Sequence, residues 1–245
     1  MGSQTIAVGS AASGSRRGGL LDTYFYFGMS LLIPVVVLYG FSHTIDENLL
    51  HAVPARPWIL WVHAFVFSFW LLFFMLQSAL VRTHNIKLHR TLGWFGAGLG
   101  TLIPVLGIST AIVMDRFLFL HFHHPGYKTF FAIQLLDMSS FTVAFWLAVY
   151  WRKKPEYHRR LVLIATCALT SAAFARFPHI GVSWTYFCVD GLIVLGALRD
   201  LIVSRKVHAV YRYALPALIA YQTFMVELVF QRPQWWIHVT NAIMG

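Results

Sequence analysis

Two histidines, His89 and His158, each sit at the end of a basic run and at the head of an apolar one. The runs are Arg82-Thr83-His84-Asn85-Ile86-Lys87-Leu88-His89-Arg90 and Arg152-Lys153-Lys154-Pro155-Glu156-Tyr157-His158-Arg159-Arg160. Beyond His89, Gly93, Gly96, Gly100 and Gly107 follow at +4, +7, +11 and +18. At about 100° per residue these glycines fall within roughly 40° of one line along a helix. Gly96-x-x-x-Gly100 is also the close-packing spacing of membrane helices. Beyond His158, Ala165 and Ala172 follow at +7 and +14, with Arg176 at +18. Two small-residue faces, each headed by an imidazole, could take the edge of a flat porphyrin and hold its iron between the two rings. The expected cofactor is then haem b, with His89 and His158 as ligands and Arg90, Arg159 and Arg160 neutralising its propionates. The same faces would equally serve plain helix packing.

A second group of polar residues lies inside apolar stretches. His63 shares a helical face with Phe67, Trp70, Phe74 and Gln77, and an ionisable side chain within a span is a candidate for function. Asp137, Arg176, Asp190 and Glu227 are similarly placed. A charge at mid-bilayer costs about 2.5–3.5 kcal/mol on insertion scales, so Arg176 is expected to pair with Asp137 or Asp190. Together with His63 and Gln77 these residues could form a pocket for a small molecule or a proton path, which is the chemistry of a transporter or sensor. A third cluster, His121-Phe122-His123-His124, has ligand types that suit copper or zinc.

The elements that must position these groups follow from composition. The 245 residues are 58% hydrophobic and 11% charged, against about 25% charged in soluble domains, and the mean hydropathy is +0.64. The chain therefore reads as an all-α, polytopic membrane protein whose main partner is the lipid bilayer. Seven apolar segments are long enough to span: residues 23–41, 58–81, 91–114, 129–151, 161–177, 180–203 and 209–230. Residues 1–19, rich in Gly, Ser and Ala, read as a disordered cytoplasmic tail, leaving 20–245 as one seven-helix domain. With the N-terminus inside, fourteen Lys/Arg fall on the cytoplasmic side and five outside, the bias that sets orientation. The C-terminus is then outside. The net charge of +10 is explained by these flanks rather than by nucleic acid. Cys167 and Cys188 lie within apolar segments and suggest buried small residues, not a disulfide framework. A retinal Schiff base is excluded by the absence of Lys from the seventh segment. No Walker loop, His-Glu-x-x-His or Gly-x-Ser-x-Gly is present.

From about residue 58 to 177 the sequence resembles an uncharacterised family of bacterial multi-pass membrane proteins. The residues that carry the likeness are His63, Gln77, Lys87-Leu88-His89-Arg90 with Leu92-Gly93, His158-Arg159-Arg160, Ala168-Leu169-Thr170 and Arg176. The resemblance implies a bacterial inner-membrane location and no assigned activity. Leu88-His89-x-x-x-Gly93 is also similar to helix starts of transmembrane b-type cytochromes, which implies electron transfer with a redox partner or a membrane complex. Those proteins carry ligands on four consecutive helices. The fourth segment here has no His, so one haem at most is expected.

Overall fold

A computed structural model describes residues 19–123 and 126–244, and all regular structure among them is helical. The expected tail lies outside the described residues apart from Gly19, as does His124. In chain order the helices are α1 (Gly19–Ser42), α2 (Ile59–Arg82), α3 (Ile86–Phe122), α4 (Gly126–Thr129), α5 (Phe131–Tyr150), α6 (Pro155–Ala168), α7 (Ser171–Phe174), α8 (Val182–Ser204), α9 (Ala209–Gln231) and α10 (Gln234–Met244). Of these, α1, α2, α3, α5 and α9 are long and apolar enough to cross a membrane. Their outward faces carry Phe65, Leu72, Trp94, Val105 and Val143, all well exposed. A surface of that kind suits lipid, not water.

α5 runs through the middle. It packs on α3, α6 and α9, and Ala132, Leu136, Phe141, Phe145 and Ala148 on it are almost completely buried. α3 is longer than its apolar core predicts. Its 37 residues rise about 55 Å, against about 30 Å of hydrocarbon. Asn85 caps its start by accepting from the Leu88 amide at 3.3 Å, and the helix ends where His123 turns left-handed at φ 54°.

The fifth predicted segment, 161–177, is not one helix. α6 stops at Ala168 and only the single turn of α7 follows. The Thr166 hydroxyl donates to the Val162 carbonyl at 2.9 Å, and that of Thr170 to the Cys167 carbonyl at 2.6 Å. Hydroxyl residues that satisfy the backbone locally compete with the helical ladder. α7 then turns towards α1, where Gly40 meets the Ala173 main chain so closely that a Cβ would overlap it.

Charged and aromatic contacts gather several helix ends together. Arg199 near the end of α8 pairs with Asp22 in the first turn of α1. Arg82 at the end of α2 lies over the Tyr24 ring at 4.1 Å, and Arg152 after α5 lies over Trp94 of α3 at 5.3 Å. This is the basic end. Elsewhere α10 closes on α4, with Trp236 Nε1 donating to the Thr129 carbonyl at 3.2 Å and Lys128 Nζ to Asn241 at 3.2 Å.

Candidate functional site

At the basic end, two helix starts bring the histidines together. The Asn85 cap sets α3 so that His89 falls in its first turn. Pro155, whose fixed φ suits a helix start, sets α6 so that His158 does the same. The ring centres are 6.3 Å apart and the planes cross at 75°. His158 Nδ1 lies 2.9 Å from the Ala148 carbonyl on α5. A ring nitrogen facing a carbonyl must be the protonated one, so Nε2 is left as the free ligand atom.

Unsatisfied polar atoms lie beside His89. Both polar atoms of the Gln77 amide and His89 Nδ1 are buried with no hydrogen-bond partner among the described residues, although the His89 ring is also within hydrogen-bonding reach of the Gln77 main chain. Buried polar groups are nearly always paired, so a concentration of orphans calls for an explanation.

The glycine face of α3 is divided. A Cβ on Gly93 would meet open space, whereas one on Gly96 or Gly100 would overlap the rings of Phe73 and Phe145, and one on Gly107 the Met138 side chain. Phe145 belongs to a stack with Phe141, 5.5 Å apart, against Trp70 at 5.3 and 5.6 Å. Most of the small-residue face is therefore occupied by aromatic side chains, and the open part lies one turn from His89.

Of the three arginines beside the pair, Arg90 is exposed. Arg159 stacks on the Tyr26 ring at 4.9 Å and donates to Glu156 at 2.6 Å. Arg160 corrects an expectation: it is not held ready for a ligand's carboxylates. It is 2% exposed, its Nε and NH2 donate to Asp200 at 2.8 and 2.5 Å, and its NH1 donates to Glu156 at 2.7 Å. Asp200 also accepts from Arg199 at 2.8 Å and from the His208 amide at 3.3 Å. Burial works against ionisation of Glu156, but Arg160 and Arg159 outweigh it and hold its carboxyl below the usual range. Burial, then the charge of Arg160, pulls His208 down.

The six residues of the second predicted cluster do not form one pocket. Gln77 lies beside His89. Glu227 is exposed and accepts from Gln231 at 3.1 Å. His63 stacks on Phe67 with ring centres 3.9 Å apart, and its Nδ1 is a buried orphan. The expected pairing of Arg176 with Asp137 or Asp190 is absent from the described residues. Arg176 Nε donates to Thr44 at 3.1 Å, NH1 donates to the Ala172 carbonyl at 2.5 Å, and the guanidinium lies 4.4 Å from the Phe41 ring. The cause is the break after α6, because the turn of α7 leaves Arg176, two residues beyond it, against α1 and the segment that follows α1. Asp137 instead accepts from the hydroxyls of Ser171 and, at 2.8 Å, Tyr186. Asp190 accepts from Gln222 at 3.0 Å. In the third cluster, His121 Nδ1 is 2.7 Å from the Phe117 carbonyl and His123 is the left-handed cap of α3. Among the described residues no three His, Cys, Asp or Glu converge on a metal position.

Sequence reasoning missed Asp22, Asp115 and Asp200. Asp200 adjoins Arg199 within an apolar run, and two adjacent charges there are a signal in themselves. Asp115 falls one residue beyond the predicted third segment. It is 4% exposed and contacted by Gln134 at 3.4 Å. Compared with protein-family models, with curated proteins and with solved structures, the chain matches none.

Proposed function

We propose that this chain is a membrane redox protein that binds one haem b between His89 and His158. The observation that carries this reading is the 6.3 Å between the two ring centres. At that separation a single metal ion would fit between the rings, with His89 and His158 as the residues that would hold it. The hydrogen bond from His158 to Ala148 fixes its tautomer and orientation, as the outer partners of ligating histidines do. Open space at Gly93 lies one turn along, while Phe73 and Phe145 exclude a ligand from deeper in the α3 face. Arg90, which is exposed, would meet carboxylates at the mouth, and Arg159 would do so by turning from Glu156. Bound haem would supply one-electron transfer.

The topology belongs to the same reading: seven crossings, made by α1, α2, α3, α5, α6 with α7, α8 and α9, with the N-terminus cytoplasmic and the C-terminus outside. The meeting of Asp22, Arg82, Arg152 and Arg199 with partners at one end supports alternating passes, and the charge bias supports the orientation. Reporter fusions after Lys154 and Gly245 are expected on opposite sides.

The purified full-length protein, reconstituted with haem, is expected to show a low-spin Soret band that sharpens on reduction. His89→Ala and His158→Ala are each expected to abolish it while His121→Ala leaves it unchanged. A parent without the band, or a double variant that keeps it, would overturn the proposal.

A further inference from the structure

Asp137 is 8% exposed on α5, far from the histidine pair and with no role in haem binding. Both of its oxygens are engaged, one by the Ser171 hydroxyl and the other by that of Tyr186. Neither partner is a cation, and no described cation acts on it. The titratable groups facing this region are Tyr186 and Asp190 from α8. From α3, Asp115 is turned to Gln134, a turn earlier on α5. α7 and α9 contribute Ser171 and Gln222, which are polar and uncharged. A buried carboxylate without a cation is costly and lowers that cost by taking a proton.

Beside Asp137 is a void of about 10 Å³ lined also by Ser140, Tyr186 and Gln222. That is about the smallest space that holds one water, which needs two to four polar partners. Ser140 Oγ is buried there without a partner among the described residues, so the void has a polar atom that a water would satisfy. On its far side Gln222 donates to Asp190. The site lies where α6 breaks off and Ser171 opens α7, and interrupted helices at membrane depth are where membrane proteins build ion sites.

We infer that Asp137 is a proton-binding site inside the bundle, exchanging its proton through a single water held among Asp137, Ser140, Tyr186 and Gln222. The protonated carboxyl gives its proton to that water, and the carboxylate left behind keeps two hydroxyl donors. Uptake is the reverse. Gln222 and Asp190 continue the polar path beyond the water.

Infrared spectroscopy of the full-length protein in lipid nanodiscs, followed at the C=O stretch of protonated carboxyls, tests this without reference to any cofactor. A band is expected at neutral pH, lost in Asp137→Asn and retained in Asp190→Asn. Ser140→Ala is expected to slow its shift on transfer to heavy water several-fold. Tyr186→Phe and Ser171→Ala keep the carboxyl and are expected to move the band, so they decide the matter should Asp137→Asn fail to fold. A parent without the band, a band indifferent to Asp137→Asn, or a band unmoved in both hydroxyl variants would overturn the inference.

Discussion

His158 and Arg160 stand two residues apart on α6, and their surroundings could hardly differ more. Arg160 faces a network in which Asp200, Glu156, Arg199 and Asp22 answer one another. His158 faces His89, beside which the Gln77 amide has no partner among the described residues. Pairing of charge is the mark of a joint: the carboxylates of Asp200, Glu156 and Asp22 each meet a guanidinium, although Nε of Arg199 and of Arg159 has no partner among the described residues. Orphaned groups are the mark of a vacancy in the hydrogen-bond plan. The difference teaches that the density of charge in the sequence, highest across Arg152–Arg160, does not locate a binding site. The unmet demand for partners does.

The largest expected effect breaks the paired side. Asp200→Leu takes from Arg160 and Arg199 the buried carboxylate they share, leaving each with one partly exposed partner, and removing one member of a buried pair costs about 3–5 kcal/mol. Thermal unfolding in detergent should show this loss, and the double variant Arg160→Leu/Asp200→Leu should recover part of it. A cost no greater than that of Gln77→Leu would erase the contrast. Next comes the glycine face. Gly96→Ala must displace the Phe73 ring and is expected to cost about 1–3 kcal/mol, whereas Gly93→Ala, facing open space, should stabilise the helix by up to about 1 kcal/mol. Opposite signs in the same unfolding assay would sharpen the division of that face.

On the unpaired side, Gln77→Leu removes an amide already without partners among the described residues. In the absence of ligand it is expected to leave stability unchanged or raise it by about 1 kcal/mol. A marked loss would mean that the amide is satisfied after all. The smallest effect is a pH slope. Glu156 has its carboxyl held low in the folded state, so its contribution is present above the unfolded value and fades as pH falls through the folded one. Glu156→Gln should therefore flatten the acid limb of stability against pH. The gain is a fraction of a kcal/mol, because this carboxylate is 55% exposed.

Much of the fold could be read from hydropathy, because a bilayer demands long apolar helices and little else. The bounds of α1, α2, α5 and α9 lie within a few residues of the predicted segments. The failure at 161–177 marks a limit of hydropathy: apolarity there is high throughout, yet the helical ladder stops at Ala168 and only the turn of α7 follows. The meeting of His89 and His158 was legible from two like helix starts. The fate of Arg176 was not, since it depended on the same break. Nor was Asp200 legible as the hub of a network, because its partner Arg160, and the Asp22 that shares Arg199 with it, come from segments distant in the chain.

That distance has a consequence for biogenesis. Arg199 closes on Asp22, and Gly40 closes on Ala173, so α1, which can pack on α2 once both are made, gains its contacts with α7 and α8 only when these follow. Until α8 has been synthesised, α1 can be threaded into the bilayer but not locked in place. Its acidic first turn is a latch that waits for its catch.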